Sequence, residues 1–350
     1  MKMLLYGATG YTGKIILAYA ERYGLKPVIA GRSADKLRLL AKKYKVDYLA
    51  FDLSDHQNIV NHLQGFQAVL HCAGPFSQTA KPMVKACLES GVHYLDITGE
   101  IEVFEWIKTQ HQQAVQSNIC LIPGVGFDVV PTDCVAGFLH QKMPDASHLT
   151  LAFAQIGGQV SHGTATTMVE NLGNQGAIRE DGKIKAVPLG HKGEVFKFGD
   201  QSLFMMTIPW GDISTAYSTT GIPNIEVYTR APKSAYRMMK FQGTFNWIFR
   251  QSFVKGMIQK NIDKKITGPN AAQRAKGKSL VLGIVQNEKG EQLKAFLKGP
   301  EGYDFTAHSA LLAIKKMAQE NYAPGYYTPA SIFGVDFATE VPGTTLEVLE

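Results

Sequence analysis

The sequence predicts an α/β protein with a doubly wound parallel sheet and a second, inserted α/β (α+β) domain. Three observations lead to this fold class. Short apolar runs alternate with amphipathic stretches over the first 122 residues, a glycine-rich turn follows the first apolar run, and the pattern changes at Pro123. The chain has 350 residues, of which 45% are hydrophobic, so we expect two domains.

The first 122 residues contain six predicted strands with helices between them. Apolar runs predict strands at 3–6, 27–30, 46–51, 67–72, 92–97 and 119–122. Amphipathic stretches predict helices at 12–23, 34–44, 55–63, 79–90 and 101–116. This alternation predicts a parallel sheet, because each right-handed crossover needs a helix to return the chain. Six such strands make up a complete Rossmann-type domain.

The second domain is expected to begin at Pro123, where the stretch "PGVGFDVVPTD" is rich in turn-forming residues. Further on, the segments "HLTLAFAQI", "GEVFKFG" and "NIEVYTR" predict strands. Residues 232–262 predict a helix, 278–298 a hairpin, and 303–320 another helix.

The turn "YGATGYTG" carries glycines at every third position, Gly7, Gly10 and Gly13, between the first strand and the first helix. Unpaired N–H groups and the positive end of the helix dipole favour an anion there. Gly7 allows the tight turn, Gly10 lets a diphosphate approach the backbone, and Gly13 lets the helix pack closely. Three glycines near a helix start can be purely structural, but the setting in a first βαβ unit favours a dinucleotide.

The end of the second strand, "VIAGRSADK", distinguishes between the two nicotinamide dinucleotides. An NAD site usually has an acid here, which accepts a hydrogen bond from the ribose 2′-OH. This sequence instead has Arg32 and Ser33, with Lys36 one turn later, and these groups suit a 2′-phosphate. The cofactor predicted is therefore NADP(H). The alternative is a helix capped by Ser33 beside a solvated Arg32.

The next two strand ends should also line the cofactor, because ligands bind beyond the carboxyl ends of parallel strands. Asp52 follows the third strand and can reach the adenine amine, although it can equally be a simple loop acid. After the fourth strand, Ala73, Gly74 and Pro75 leave room for the nicotinamide half. The alternative for this segment is a helix cap.

Five motifs in this order, "GATGYTG", "AGRS", "CAGPF", "GVHYLDITGE" and "PGVGFDVVPTD", resemble those of the saccharopine dehydrogenase-like oxidoreductases. Within that family the chain is similar to the branch of the trans-acting enoyl reductases. The resemblance implies a nicotinamide-binding domain at 1–122 to which about 303–350 returns, and a substrate or dimerisation domain at 123–302. It also extends the cofactor set to Thr9, Tyr11 and Thr12. We find no matching set of basic residues for a saccharopine-type substrate.

Hydride transfer usually needs a proton donor, and the loops after the fifth and sixth strands offer acids. The candidates are Asp96, Glu100 and Asp128, with Thr98 nearby. The alternative for the two aspartates is that they only accept hydrogen bonds from turn amides. His162 is an alternative donor from the second domain. The pair Tyr236 and Lys240 has the short-chain-dehydrogenase spacing but lies too far along the chain, so we interpret it as coincidence.

The net charge of +6 arises from one segment. Residues 230–280 hold twelve Lys or Arg and one acid, a charge of +11, which leaves −5 for the rest. Part of this segment, 236–265, is apolar, aromatic and basic, so a membrane surface or an acidic carrier is conceivable. Its charges do not segregate on one helical face, which favours helices buried in the second domain or in a homodimer contact.

Other classes of protein are not indicated. No metal-ligand spacing, nucleophile motif or nucleic-acid module is present. The sequence shows no transmembrane run or signal peptide, and four cysteines without a CxxC pair are typical of buried thiols, so we expect a cytoplasmic location. The predicted function is hydride transfer to or from a C=N, C=O or C=C bond of a small or acyl substrate. The alternatives are a nucleotide-binding redox sensor or scaffold without turnover, and an enoyl reductase that works at a membrane or on a carrier.

Overall fold

A computed structural model of the chain describes residues 1–170, 173–242 and 251–349. The chain forms two compact units. The first comprises Met1–Val130 and Tyr303–Gly334, and the second comprises Pro131–Gly302 and Val335–Glu350. Both units combine strands and helices, and the predicted fold class is confirmed.

The first unit is built on a seven-stranded sheet in which every recorded pairing is parallel. Its strands are β1 (Met3–Tyr6), β2 (Val28–Gly31), β3 (Tyr48–Ala50), β4 (Ala68–His71), β5 (His93–Asp96), β6 (Cys120–Ile122) and β15 (Gly325–Tyr326). The order is β15-β6-β5-β4-β1-β2-β3. The chain reverses direction across the sheet between β1 and β4, and ligands of such sheets bind at this switch point.

Helices connect these strands. They are α1 (Tyr11–Tyr19), α2 (Ala34–Tyr44), α3 (His56–Leu63), α4 (Phe76–Ser90), α5 (Ile101–Lys108), α6 (His111–Gln116), α13 (Gly302–Gln319) and α14 (Pro329–Phe333), with a 3₁₀ turn at Ala20–Tyr23. The single helix predicted at 101–116 is therefore two helices. The helix predicted at 79–90 begins three residues earlier, at Phe76.

The core of the first unit explains why its central strands are continuous apolar runs. Helices cover both faces of a parallel sheet, so successive side chains of one strand are all buried. Met3, Leu4 and Leu5 of β1 are each at most 1% exposed, as are Val69 and Leu70 of β4.

The second unit contains a nine-stranded mixed sheet in the order β10-β11-β12-β7-β13-β14-β16, with β8 pairing to β12 and β9 to β8. The strands are β7 (Ala146–Ile156), β8 (Gly176–Glu180), β9 (Lys183–Val187), β10 (Gly193–Phe198), β11 (Gln201–Thr207), β12 (Asn224–Arg230), β13 (Lys278–Asn287), β14 (Gln292–Pro300) and β16 (Thr345–Leu349). Its described helices are α7 (Val130–Lys142), α8 (His162–Glu170), α9 (Asp212–Thr220), α10 (Lys233–Gln242), α11 (Ser252–Lys265) and α12 (Ala271–Lys276).

Buried threonine–aspartate pairs join α7 to α9 in the second unit. Thr132 donates a hydrogen bond to Asp212 at 2.6 Å, and Thr219 donates one to Asp133 at 2.5 Å. Each helix thus supplies one hydroxyl and one carboxylate. The "PTD" end of the turn-rich motif therefore holds two helices of the second unit together.

The structure corrects the predicted domain boundaries. Residues 335–350 belong to the second unit, because β16 pairs antiparallel with β14. The first boundary lies at Val130 instead of residue 122. Of the helix predicted at 232–262, α10 and residues 252–262 of α11 are observed. Residues 243–250, with Arg250 of the basic segment, lie outside the described residues.

The four cysteines are free thiols. Cys87, Cys120 and Cys134 are buried as predicted, whereas Cys72 is partly exposed. None of the helices in the described ranges has both the length and the apolar character that crossing a bilayer requires.

Candidate functional site

The glycine turn between β1 and α1 has a backbone that only glycine adopts easily. Gly7 has a φ of +87°, and its N–H donates to the carbonyl of Ala30 at 2.9 Å. A Cβ on Gly7 would lie 2.7 Å from the backbone nitrogen of Ala73. The turn after β1 therefore contacts the loop after β4 backbone to backbone, at the switch point of the sheet.

The other two glycines differ in the space around them. A Cβ on Gly13 would lie 2.4 Å from the carbonyl oxygen of Gly7 and 2.8 Å from the Cα of Ala8. A Cβ on Gly10 would meet only the Gly7 oxygen, at 3.2 Å. Gly13 is thus needed for packing, whereas Gly10 faces open space at the N-terminus of α1, where no side chain caps the helix and no acid lies in the first turn. A diphosphate fits this cradle.

At the end of β2, Arg32 is exposed and Ser33 occupies the N-cap position of α2. The Ser33 side chain makes no capping hydrogen bond, so the structure does not support the alternative in which Ser33 caps the helix. No described residue forms a hydrogen bond with either side chain. A guanidinium and a hydroxyl beside a helix N-terminus fit a 2′-phosphate.

Asp52, after β3, lies near Arg32. Its Oδ1 accepts hydrogen bonds from the backbone N–H of Ser54 at 2.9 Å and from the Ser54 hydroxyl at 2.5 Å. These bonds, and to a smaller extent the charge of Arg32, lower the pKa of Asp52 below its ordinary value. Asp52 is therefore an exposed carboxylate held in a fixed turn.

Glu100 holds the N-terminus of α4. Its two carboxylate oxygens accept hydrogen bonds from the backbone N–H groups of Phe76 and Ser77, each at 2.9 Å. The carboxylate thus occupies the position that an anion would take at this helix. The role of Glu100 seen in the structure is to join the loop after β5 to the loop after β4.

Asp96, at the end of β5, is fully buried and accepts three hydrogen bonds. The donors are the hydroxyl of Tyr94 at 2.7 Å and the N–H groups of Thr98 at 3.0 Å and Gly124 at 2.9 Å. Burial raises the pKa of Asp96 to about 6, although these hydrogen bonds oppose the rise. Asp96 therefore links the loops after β5 and β6. These bonds to backbone N–H groups are of the kind that the alternative to a catalytic role expects.

Asp128, in the loop after β6, is the third predicted acid. Desolvation raises its pKa to about 7, so it exchanges its proton near neutral pH. The structure brings it beside the loop of the other two acids, because a Cβ on Gly99 would lie 3.2 Å from Asp128 Oδ2.

Sequence reasoning did not identify the residues that hold the Asp128 loop. The N–H of Phe127 donates to Thr306 Oγ1 at 2.9 Å, and the Ser309 hydroxyl donates to the carbonyl of Val125 at 2.7 Å. Both partners lie on α13, about 180 positions later in the chain. The local signal was only the row of small and hydroxyl residues in "FTAHSALLA".

The remaining candidates lie in the second unit. His162 begins α8. The Tyr236 ring packs edge-on against Phe204 with centroids 5.3 Å apart. Both rings are partly buried, and the interpretation of the Tyr236–Lys240 spacing as coincidence stays a prediction. Within the ranges that the structure describes, no group of three or more His, Cys, Asp or Glu side chains could hold a metal ion.

Residues 3–122 match the family model of the saccharopine dehydrogenase NADP binding domain. A human saccharopine dehydrogenase-like oxidoreductase is 26% identical over 53% of this chain, a match that spans 50% of that relative's length. A Caenorhabditis elegans lipid droplet localized protein is 25% identical over 95% of this chain and 93% of its own. A Mycobacterium tuberculosis protein named as a trans-acting enoyl reductase is 32% identical over 49% of this chain and 44% of its own.

Two solved structures share the fold. Apo saccharopine dehydrogenase (L-Glu forming) from Saccharomyces cerevisiae has a TM-score of 0.69 at 11% identity, covering 100% of both chains. Homospermidine synthase from Legionella pneumophila, in complex with NAD, has a TM-score of 0.69 at 9% identity, covering 99% of this chain and 91% of its own. The resemblance found in the sequence is confirmed by the family model and the relatives: residues 3–122 match the saccharopine dehydrogenase NADP binding domain, and the chain is similar to saccharopine dehydrogenase-like oxidoreductases.

Proposed function

We propose that this protein is an NADP(H)-dependent oxidoreductase acting on a C=N, C=O or C=C bond of a small or acyl substrate. One observation carries the proposal. The first unit combines a dinucleotide cradle with Asp128, an acid whose pKa of about 7 suits proton transfer at neutral pH. The names of the matched family and relatives support the same reaction class.

The cofactor would be held by three groups of residues. The glycine turn would bind the diphosphate, Arg32 and Ser33 the 2′-phosphate, and Asp52 the adenine. The loop after β4 would lie against the nicotinamide half. The members of the set are Gly7, Thr9, Gly10, Tyr11, Thr12, Gly13, Arg32, Ser33, Asp52, Ala73, Gly74 and Pro75. When bound, NADP(H) supplies or accepts the hydride at its nicotinamide ring.

Among the three predicted acids, Asp128 would exchange a proton with the substrate. Asp96 and Glu100 each join neighbouring loops through hydrogen bonds that they accept from backbone N–H groups. We therefore assign these two to positioning: Asp96 would fix the loop after β6, and Glu100 would fix the start of α4.

The test is NADPH consumption with a panel of imines, ketones and enoyl thioesters. We expect turnover with one class, and a loss of about 10²- to 10⁴-fold in Asp128→Asn with NADPH affinity unchanged. Asp47→Asn, at an exposed position, is the matched control. Tight NADPH binding without turnover on any class would instead favour the redox sensor or scaffold.

A second candidate is an enoyl reductase that works at a lipid surface or on an acyl carrier. Phe253 and Met257, four residues apart on α11, are 71% and 61% exposed, and they lie in the basic segment. The names of the worm and mycobacterial relatives point the same way. Co-sedimentation with anionic vesicles should then be lost in Phe253→Glu and kept in Val195→Glu, whose site is also exposed. Retention in both would contradict this candidate.

A cytoplasmic location and a homodimer complete the proposal. The free thiols support the first, and the apolar, aromatic sequence of 236–265 supports the second. Cell fractionation and light scattering test them. Recovery of the protein with membranes would contradict the cytoplasmic location. A measured mass equal to that of a single chain would contradict the homodimer.

A further inference from the structure

His71 and Thr79 lie directly behind the loop after β4. Thr79 Oγ1 is 2.6 Å from the carbonyl oxygen of Ala73 and 3.0 Å from that of Pro75. Nε2 of His71 is 3.0 Å from the same hydroxyl oxygen. One hydroxyl therefore connects a buried imidazole to both ends of the segment Ala73–Pro75.

The number of protons fixes the direction of these hydrogen bonds. The Thr79 hydroxyl has one hydrogen, and carbonyl oxygens only accept, so this hydrogen lies toward Ala73 and Pro75. Nε2 of His71 must then be the donor to Thr79. Burial lowers the pKa of His71 to about 3, so the ring is neutral and carries its single proton on Nε2.

The imidazole of His71 is fixed in place by aromatic neighbours. Its ring centroid lies 5.4 Å from that of Tyr6, 5.5 Å from Phe76 and 6.1 Å from Tyr94. Nδ1 of His71 is buried and has no hydrogen-bond partner among the described residues. Packing therefore sets the ring orientation, and Nε2 alone makes a hydrogen bond.

Thr79 and Glu100 together hold four backbone groups of residues 73–77. Thr79 binds the carbonyls of Ala73 and Pro75, and Glu100 binds the N–H groups of Phe76 and Ser77. In the part of the chain that the structure describes, the N–H groups of Ala73 and Gly74 have no recorded acceptor. These two N–H groups therefore take no part in holding the loop.

We propose that Thr79, supported by His71, is a positioning residue that sets the loop Ala73–Pro75 for the nicotinamide half of NADP(H). The inference rests on the proposed cofactor site. Thr79 would act through the loop backbone without contacting the cofactor. Its loss should therefore affect the nicotinamide half of the molecule and leave the adenine half unaffected.

The test compares binding of NADPH with binding of adenosine 2′,5′-bisphosphate, which has only the adenine half. Thr79→Val keeps the side-chain shape and removes the hydroxyl. We expect NADPH affinity to fall about 5- to 10-fold, the effect of one lost hydrogen bond, and bisphosphate affinity to stay within twofold. Thr79→Ser retains the hydroxyl and should restore NADPH affinity. If the valine variant does not fold, Thr79→Ala serves the same comparison.

The possible outcomes separate this inference from the proposed function. Unchanged NADPH affinity in Thr79→Val overturns the positioning role, and so does an equal loss for both probes, which would indicate general structural damage. Failure of the serine variant to restore binding also counts against it. If the unmodified protein binds bisphosphate but not NADPH, or neither probe, the proposed cofactor site itself is wrong and the inference falls with it.

Discussion

At the scale of single residues, the glycine turn illustrates how similar residues perform different physical tasks. Gly7 is required by its positive φ and by the neighbouring loop, Gly13 by the backbone that it touches, and Gly10 by neither. In the proposed cofactor site, the space in front of Gly10 would hold the ligand. Substitution at these positions should therefore separate stability from binding.

Gly13→Ala and Gly10→Ala form a matched pair. The new Cβ of Gly13→Ala would lie 2.4 Å from Gly7 O, so the backbone must move, and we expect a loss of about 1–3 kcal/mol in the free energy of unfolding. Gly10→Ala should lose less than about 1 kcal/mol and yet bind NADPH at least tenfold more weakly. Denaturant unfolding and nucleotide titration measure the two effects. Equal destabilisation in both variants would contradict the assignment.

The raised pKa of Asp128 predicts that the stability of the protein depends on pH. Its folded-state pKa of about 7 lies above the value of roughly 4 for an unfolded aspartate. Between these values the folded protein holds a proton that the unfolded chain releases, so the free energy of unfolding falls as pH rises, and the penalty is complete above pH 7.

Asp128→Asn removes this titration. We expect the free energy of unfolding of the variant, relative to that of the unmodified protein, to increase from pH 4 to pH 8 by up to about 4 kcal/mol. This value corresponds to the difference of about three between the folded and unfolded pKa values of Asp128. Chemical denaturation at several pH values measures it, with Asp47→Asn as the control. A difference that is independent of pH would show that Asp128 ionises as an ordinary surface acid does.

Features of the candidate site could be predicted from sequence where the physics is local. The glycine spacing and the absence of an acid after β2 are both readable within a few positions, and they predicted the cradle and NADP(H). The partners of Glu100 and Phe127 are 24 and 179 positions away, so only the folded chain brings them together. The same holds for burial, which raises the pKa values of both Asp96 and Asp128.

At the scale of elements, all six strands predicted in the first 122 residues are present. The strands β1, β4 and β6 show the continuous apolar pattern of a buried parallel strand, whereas β3 is largely exposed and shorter than predicted. The seventh strand, β15, has two residues and therefore no pattern to detect. The helix predicted at 101–116 is interrupted at Thr109 and Gln110, whose polar side chains are compatible with a helical periodicity. The local sequence pattern therefore predicts that a helix or strand exists better than it predicts where that element begins and ends.

The start of α4 allows a test at this scale. Glu100 places a negative charge beside two N–H groups that have no acceptor within the helix, at the positive end of its dipole. Glu100→Gln should therefore lower the free energy of unfolding by about 1 kcal/mol. Glu102→Gln, at an exposed position on α5, should change it little. Urea unfolding of both variants checks this, and equal stability would mean that the carboxylate does not cap α4.

At the scale of the whole molecule, the sequence predicted two domains but misplaced the chain end. The helix α13 returns to the first unit as expected, whereas β16 extends the sheet of the second. The pairing of a five-residue edge strand depends on a partner about 50 positions earlier, and no local pattern specifies that partner. Strand pairing is thus the part of the fold that sequence reasoning could not supply.

Ending the chain at Thr344 removes β16. Hydrogen exchange measured by mass spectrometry should then accelerate in Lys294–Lys298 of β14, which loses its partner strand. Exchange in β6 should stay as it is, because β6 pairs with β5 and β15. Faster exchange in β6 with no change in β14 would place the chain end on the first sheet.

The most direct measurement for the whole account is fluorescence titration with NADPH and NADH. We predict that the unmodified protein prefers NADPH, and that Arg32→Ala weakens NADPH binding by about 1.5–3 kcal/mol, roughly 10- to 150-fold, with NADH binding unchanged. Arg38→Ala, which removes an exposed guanidinium paired with Asp35, should leave both unchanged. Equal affinity for the two dinucleotides, or no effect of Arg32→Ala, would contradict the account.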